Sequence, residues 1–138
     1  MKSMGFAMLL FTVLAFISCK KDEKEVSERY KLLTSVVWTS DSLLVNGMDA
    51  SGPGQLLEKF KGDIKFNEDG TGTFGDYSGT WQFSLDETEL IIFSESLSFP
   101  LTTKIEELSD SSLKITTGFP NPLNPEDEMK IRMTFKVK

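Results

Sequence analysis

The residue types that carry most enzyme chemistry are nearly missing from this chain. It has no histidine and a single cysteine, Cys19, which excludes histidine-based triads, histidine metal sites and a neutral-pH proton shuttle. Ser111 and Lys114 match a Ser-x-x-Lys catalytic spacing, but that pattern needs one helical turn and Lys114 falls in a predicted strand. The acidic turns at 67–69 and 126–128 lack the ligand spacing of a calcium loop. We therefore expect no catalytic residue, no metal and no cofactor.

Cys19 follows a segment that is built like a secretory signal. A short basic start at 1–5 precedes an apolar run, 6–17, and then a small residue, Ser18. A membrane-spanning helix needs roughly 20 apolar residues, so this run is short for one. A transmembrane anchor with a chance cysteine is the alternative interpretation.

Residues 16–19 resemble the lipobox of bacterial lipoproteins, although Phe16 stands where that pattern prefers leucine. The resemblance implies a signal peptide over 1–18 and diacylation of the Cys19 thiol, which then becomes the N-terminus of a membrane-anchored protein. The charged stretch 20–25 predicts a solvated tether over 19–29. Its Lys-Asp-Glu core is similar to the export signal of surface lipoproteins in the Bacteroidota, which implies an outer-membrane lipoprotein displayed outward. A generic charged linker is the alternative.

The composition describes one acidic domain without a disulfide. The formal net charge is −6 over 138 residues, and basic residues do not cluster, which argues against nucleic acid as a partner. With one cysteine, no internal disulfide can form, so an apolar core must supply the stability.

The hydrophobic pattern changes from a helical to an alternating period near residue 36. Spacings of three and four predict a short helix over 24–34, and period-two alternation predicts about eight strands. Short turns join most of them, which favours an all-β, antiparallel up-and-down meander that closes into a barrel. The predicted strands are 36–45, 62–67, 71–74, 77–84, 90–93, 97–107, 113–115 and 129–137.

Two predicted connections are longer than the others, and long loops in compact domains often carry function. One spans 46–61 and contains a small apolar stub, and the other spans 118–127 and contains three prolines. Because turns alternate between the two ends of a meander, both loops should lie at the same mouth of the barrel.

Three segments resemble the lipocalin-like domains of Bacteroidota lipoproteins. These are a Leu pair leading to a tryptophan strand at 32–38, a Phe-x-x-Asp-Gly-Thr hairpin at 66–71, and a Ser-Gly-Thr-Trp strand at 78–81. The resemblance covers roughly 30–137 and implies a lipocalin-like barrel over 30–138. The chain departs from true lipocalins, because Val36 replaces their glycine and their Thr-Asp-x-x-Tyr motif is absent, so no ligand specificity transfers.

The inward face of the barrel is the remaining candidate site. Either side chains fill it, or it holds one small ligand, and in the second case the two long loops should cover an apolar guest. The leading hypothesis is therefore a membrane-anchored protein that binds a small apolar ligand. The alternative is a surface module with a filled barrel that contacts an envelope or host protein, and an enzyme inhibitor of the lysozyme-inhibitor type is a third interpretation. Strand parity assigns these residues to the interior: Trp38, Phe66, Phe74, Gly79, Trp81, Phe83, Phe99, Met133 and Phe135.

Overall fold

A computed structural model describes residues 26–138. The predicted signal peptide, Cys19 and the tether up to residue 25 lie outside these residues. The elements in chain order are α1 (Glu28–Thr34), β1 (Trp38–Val45), β2 (Met48–Asp49), a 3-10 turn (Glu58–Phe60), β3 (Asp63–Phe66), β4 (Thr71–Phe74), β5 (Tyr77–Phe83), β6 (Glu89–Ser94), β7 (Leu101–Leu108), β8 (Ser112–Asn121) and β9 (Asn124–Val137).

The strands form a closed antiparallel barrel with up-and-down topology. Each long strand pairs with its neighbours along the chain, and β1 closes the barrel by pairing with β9 from Trp38 opposite Val137 to Val45 opposite Ile131. The two-residue β2 pairs in an antiparallel direction with the last two residues of β1 and is not one of the barrel strands. The predicted fold, an eight-stranded meander barrel with a short helix before it, is confirmed.

A bulge in β1 changes which of its side chains face inward. The register against β9 shifts between Ser40 and Ser42, so the extra residue, Asp41, moves the later residues by one position. Leu43 is therefore buried, and Ser42 is only partly buried. Strict alternation from Trp38 along the predicted strand 36–45 puts Ser42 on the inner face, and this expectation is wrong beyond the bulge.

The segment 118–127 is not the long loop that its prolines predicted. It belongs to a two-stranded ribbon formed by the ends of β8 and β9, with only Pro122 and Leu123 between the strands. Proline lacks the N–H that a central strand needs, but a ribbon at a sheet edge tolerates it. The pairing is irregular beside Pro120, where 125–127 have no partner on β8.

The predicted strand 97–107 also begins later than expected. Its ladder starts at Leu101, and 95–100 form the connection from β6. Pro100 stands directly before the first paired residue and cannot donate to a ladder, which explains why the alternation before it does not continue the strand.

Helix α1 closes one end of the barrel, which we call the closed end. This end carries the turns 67–70, 84–88 and 109–111. Ser27 caps the helix by accepting a hydrogen bond from the Tyr30 backbone N–H at 3.0 Å, as capping serines do. Arg29 Nε donates to the Glu87 carbonyl at 3.0 Å, and the Tyr30 hydroxyl donates to the Glu68 carbonyl.

These bonds fasten α1 to two separate turns, and Lys65 adds a third bond to the Thr34 carbonyl at 2.6 Å. Helix α1 is seven residues long. No helix within residues 26–138 has the length and apolar character to cross a membrane.

The aromatic core fills the barrel next to the closed end. Trp81 is its centre, with ring centroids 5.5 Å from Tyr30, 5.6 Å from Phe66 and 5.5 Å from Phe83. Phe66 in turn contacts Phe74 at 5.5 Å. The indole N–H of Trp81 donates to the Asn67 carbonyl at 3.0 Å, so this large side chain is buried without an unpaired donor.

Candidate functional site

The opposite end of the barrel, the open end, contains an apolar pocket of about 200 Å³. We call it the mouth pocket. Its wall comes from the connection 46–62, from the start of β5, from the connection 95–100 with the start of β7, and from the β8–β9 ribbon. Met133 of β9 and Leu57 of the connection 46–62 are the most buried of its lining residues. The two connections that the sequence singled out do meet at one mouth, although the second is a ribbon.

The connection 46–62 folds along β1 and places its apolar residues in the wall. The Ala50 N–H donates to the Leu43 carbonyl at 2.8 Å, and the Leu57 N–H donates to the Ala50 carbonyl at 2.9 Å. Leu57 and Phe60 are buried as a result, and Phe60 packs against Tyr77 with centroids 4.8 Å apart. The apolar stub noted in the sequence is therefore one wall of the pocket.

The connection 95–100 and the ribbon form another part of the wall. Phe99 is 52% exposed, and its ring stacks on that of Phe119 with centroids 5.7 Å apart and planes 25° apart. Leu97 and Leu101 complete this side. The Phe60–Tyr77 pair thus joins the connection 46–62 to β5, and the Phe99–Phe119 pair joins the connection 95–100 to β8.

The lining of the mouth pocket is uncharged. Its only polar side chains are the hydroxyls of Ser96, Ser98 and Tyr77, and every other lining side chain is apolar. A site of this composition suits an uncharged guest, since a buried charge would lack a compensating partner.

The groups with shifted pKa values lie at the closed end. Burial, followed by the nearby Glu68 and Asp69 carboxylates, raises the pKa of Tyr30. Hydrogen bonds from the Thr71 side chain and then its backbone lower the pKa of Asp69. Bonds from the Thr88 and Ser84 hydroxyls and then the Thr88 backbone lower the pKa of Asp86. The two aspartate shifts come from hydrogen bonds within exposed turns, the Tyr30 shift comes mainly from partial burial on helix α1, and none of the three groups lines the pocket.

The Ser-x-x-Lys pair has no catalytic geometry. Lys114 lies in β8, as predicted, and its ammonium group is 3.5 Å from the Glu107 carboxylate. Within residues 26–138, no group of three metal-binding side chains comes together.

The predicted interior residues separate into those at the pocket and those below it. Met133 and Phe99 line the mouth pocket, Met133 from inside the barrel and Phe99 from the exposed rim. Phe83 is partly buried against Trp81 at the closed end. The others that are fully buried form the core and do not line the pocket: Trp38, Phe66, Phe74, Trp81 and Phe135.

Gly79 does not line the mouth pocket. It lies in an adjoining open depression between β5, β6 and the connection 95–100, which shares Leu97, Ser98 and Phe99 with the pocket. It pairs with Ser94, and an added Cβ would collide with the Phe93 carbonyl. Glycine therefore permits a close approach of two backbones here. The small side chain of Ser40 on β1 is also engaged, because its hydroxyl accepts the Gly62 N–H at 2.9 Å.

Sequence reasoning missed several lining residues for identifiable reasons. Alternation within 77–84 puts Tyr77 on the inner face of β5 but does not indicate a pocket there, and Phe119 falls in the segment 118–127 that its prolines predict as a loop. Alternation within 129–137 also puts Ile131 on the inner face, but it does not give its position near the open end. Height along the barrel axis depends on strand register, which alternation does not specify.

Comparison with known proteins adds no relative to this description. No known family model matches the chain, and no curated protein matches it in sequence.

Proposed function

We propose that the protein is a membrane-anchored, lipocalin-like lipoprotein that binds a small apolar ligand in the mouth pocket. One observation carries the binding proposal: an uncharged, largely apolar pocket of about 200 Å³ stands at the open end of a barrel that is filled elsewhere. Protein interiors pack with few voids larger than a water molecule, so an apolar pocket of this size is the natural candidate binding site. On this proposal the protein is a binder and not an enzyme.

The anchoring part rests on the sequence before the barrel. The apolar run 6–17 followed by Ser18 and Cys19 supports lipidation, and the charged residues 20–25 support a tether between lipid and barrel. Two acyl chains suffice for stable attachment, since each buried methylene contributes about 0.8 kcal/mol. We place the protein at the outer membrane, with the barrel displayed outward.

Ligand binding is tested by native mass spectrometry on the soluble fragment 20–138, incubated with a lipid extract of the envelope of its source. The barrel and helix α1 lie within 26–138, so this fragment contains every described element. We expect a discrete added mass. Leu97→Trp should remove it, because Leu97 lines the mouth pocket from a surface connection where a larger ring can block the opening.

Leu85→Trp is the matched control, since Leu85 is fully exposed in a turn at the closed end. It should retain the added mass. Equal ligand capture by Leu97→Trp and the wild type would contradict binding in the mouth pocket. A wild-type fragment that captures nothing would reject the binding proposal.

The anchor is tested separately with Cys19→Ser in the full chain. We expect the variant to lose acylation and to leave the membrane fraction on alkaline extraction, while the wild type stays. A variant that still resists extraction would show that lipidation does not hold the protein to the membrane.

A second candidate function, contact with an envelope or host protein, is favoured by the ribbon at the open end. Among the described residues, Asn124, Glu128 and Met129 of β9 pair with β8 and not with β1, and 125–127 pair with no strand. The ribbon therefore has a free edge, and Leu123 at its tip is 93% exposed. Free edges and exposed apolar tips are common in protein recognition. Leu123→Asp separates the two functions, because it should abolish such a contact and leave capture of a small ligand unchanged.

A further inference from the structure

Resting on the proposed function, we infer that the mouth pocket selects compact, uncharged, planar aromatic molecules over acyl chains. The inference names the chemical class of the ligand, and it depends on the size, lining and floor of the pocket.

The size of the pocket favours a ring system. A cavity of about 150 Å³ in another protein holds benzene, and pockets for larger ligands usually measure about 300–1,000 Å³. The mouth pocket, at about 200 Å³, lies between these values. It matches one or two fused rings and leaves no room for a long chain that is folded on itself.

The floor of the pocket prevents a chain from extending down the barrel axis. Met133 is 1% exposed, and on the neighbouring strands it lies opposite Leu43 and Ile115, which are equally buried. Below this level the interior is occupied by the aromatic core around Trp81 and Phe66. An extended acyl chain would have to leave the pocket through its opening, toward the open depression beside Gly79 or into water.

The aromatic lining favours a flat guest. Four of the lining residues are aromatic, and they form two pairs, Phe60 with Tyr77 and Phe99 with Phe119. Aromatic rings gain from offset-stacked and edge-to-face contacts beyond the apolar area that they bury. A planar aromatic ligand gains this additional contact energy from the two aromatic pairs, whereas an alkyl chain gains binding energy only from the apolar area that it buries.

The polar groups of the lining match an uncharged substituent. The Ser96, Ser98 and Tyr77 hydroxyls can bond a hydroxyl or carbonyl on the ligand. No lining side chain is basic, so a carboxylate drawn into the pocket would lose water without gaining a counter-charge.

The test compares three probes by isothermal titration calorimetry on the fragment 20–138. They are 2-naphthol, decan-1-ol, which has the same number of non-hydrogen atoms and the same hydroxyl, and decanoate, which adds the charge. We expect 2-naphthol to bind about tenfold more tightly than decan-1-ol, which is the difference in affinity that one or two aromatic contacts can supply. Decanoate should bind more weakly still.

Phe99→Leu tests the origin of this preference. Phe99 is half exposed, so the fold does not depend on its ring, and leucine keeps the site apolar. We expect the variant to lose about five- to tenfold in affinity for 2-naphthol and to change decan-1-ol binding by less than about twofold. Phe93→Leu is the matched control, because Phe93 is partly exposed on β6 outside the mouth pocket and should leave both affinities unchanged.

The outcomes separate a failure of the aromatic preference from a failure of the proposed binding function. If decan-1-ol binds as tightly as 2-naphthol, and Leu97→Trp abolishes both, the aromatic preference is wrong and apolar binding stands. If none of the three probes binds, the proposed function and the inference both fail.

Discussion

The two ends of the barrel are built in different ways. At the closed end, one connected group of aromatic rings runs from Tyr30 through Trp81 to Phe66 and Phe74, and helix α1 covers it with hydrogen bonds to two turns. At the open end, two separate aromatic pairs border an apolar pocket of about 200 Å³.

The difference puts the connected aromatic core at one end of the barrel axis and the proposed binding site at the other. Close packing at one end supplies burial energy, because each large side chain removed from water contributes up to about 3 kcal/mol. The rim at the other end keeps Phe99, Leu56 and Leu123 exposed and contributes less to folding. A protein of this design can vary its rim without losing its fold.

Trp81→Ala should have the largest effect on this comparison. Trp81 is 5% exposed and contacts three aromatic rings. Its loss leaves a cavity and removes one of the two hydrogen bonds that the Asn67 carbonyl accepts, while the bond from the Gly70 N–H remains. We expect the free energy of unfolding to fall by about 3–5 kcal/mol. Urea denaturation of the fragment 20–138 measures it.

Phe99→Ala at the open end is the counterpart. The Phe99 ring is half exposed and stacks on Phe119. We therefore expect the free energy of unfolding to fall by less than about 1 kcal/mol. Equal losses of unfolding free energy for Trp81→Ala and Phe99→Ala would show that the two ends contribute equally to stability, which would contradict the difference between them.

Gly79→Ala tests the close approach of β5 and β6 in the side of the barrel. The added Cβ would collide with the Phe93 carbonyl on β6, which should cost about 1–3 kcal/mol through overpacking. Hydrogen exchange should show the lost protection concentrated in the β5–β6 ladder. Ser78→Ala, at the exposed neighbouring position, should leave both quantities unchanged.

Much of the closed end could be predicted from local sequence. Gly70 adopts a positive φ of 91° in the turn that its Asn-Glu-Asp-Gly sequence predicts. Trp38, Phe66 and Trp81 are buried where strict alternation placed them. These features depend on neighbours within one hairpin or one strand, so a local pattern contains the information.

The open end depends on contacts that a local pattern does not contain. The shift at Asp41 turns Leu43 inward through pairing with β9, which lies at the other end of the chain. Phe119 meets Phe99 only because the ribbon and the connection 95–100 reach the same rim. Bulges, proline-containing ribbons and strand register are therefore the reasons why the pocket could be anticipated as a region but not residue by residue.

Tyr30→Phe examines how α1 covers the closed end. It removes the hydroxyl that donates to the Glu68 carbonyl and keeps the ring against Trp81. A net loss of about 0.5–1.5 kcal/mol in the free energy of unfolding is expected from one such bond. The pocket is at the other end, so 2-naphthol binding should not change, and a change in its affinity would contradict the separation of the ends.

The smallest effect should come from the two aspartates that order the closed-end turns. Bonds from Thr71 and Thr88 lower the pKa of Asp69 and of Asp86 in the folded protein, so near these pKa values the unfolded chain binds more protons. The stabilisation is thus complete above the ordinary aspartate pKa of about 4 and is lost as the pH falls through the lowered values. Asp69→Asn with Asp86→Asn should therefore differ from the wild type more at pH 7 than at pH 3 in urea midpoint. Asp110→Asn, in the third turn of the same end, controls for the removal of charge. Asn variants with a higher urea midpoint than the wild type at pH 7 would contradict the expectation and mean that these carboxylates destabilise the turns.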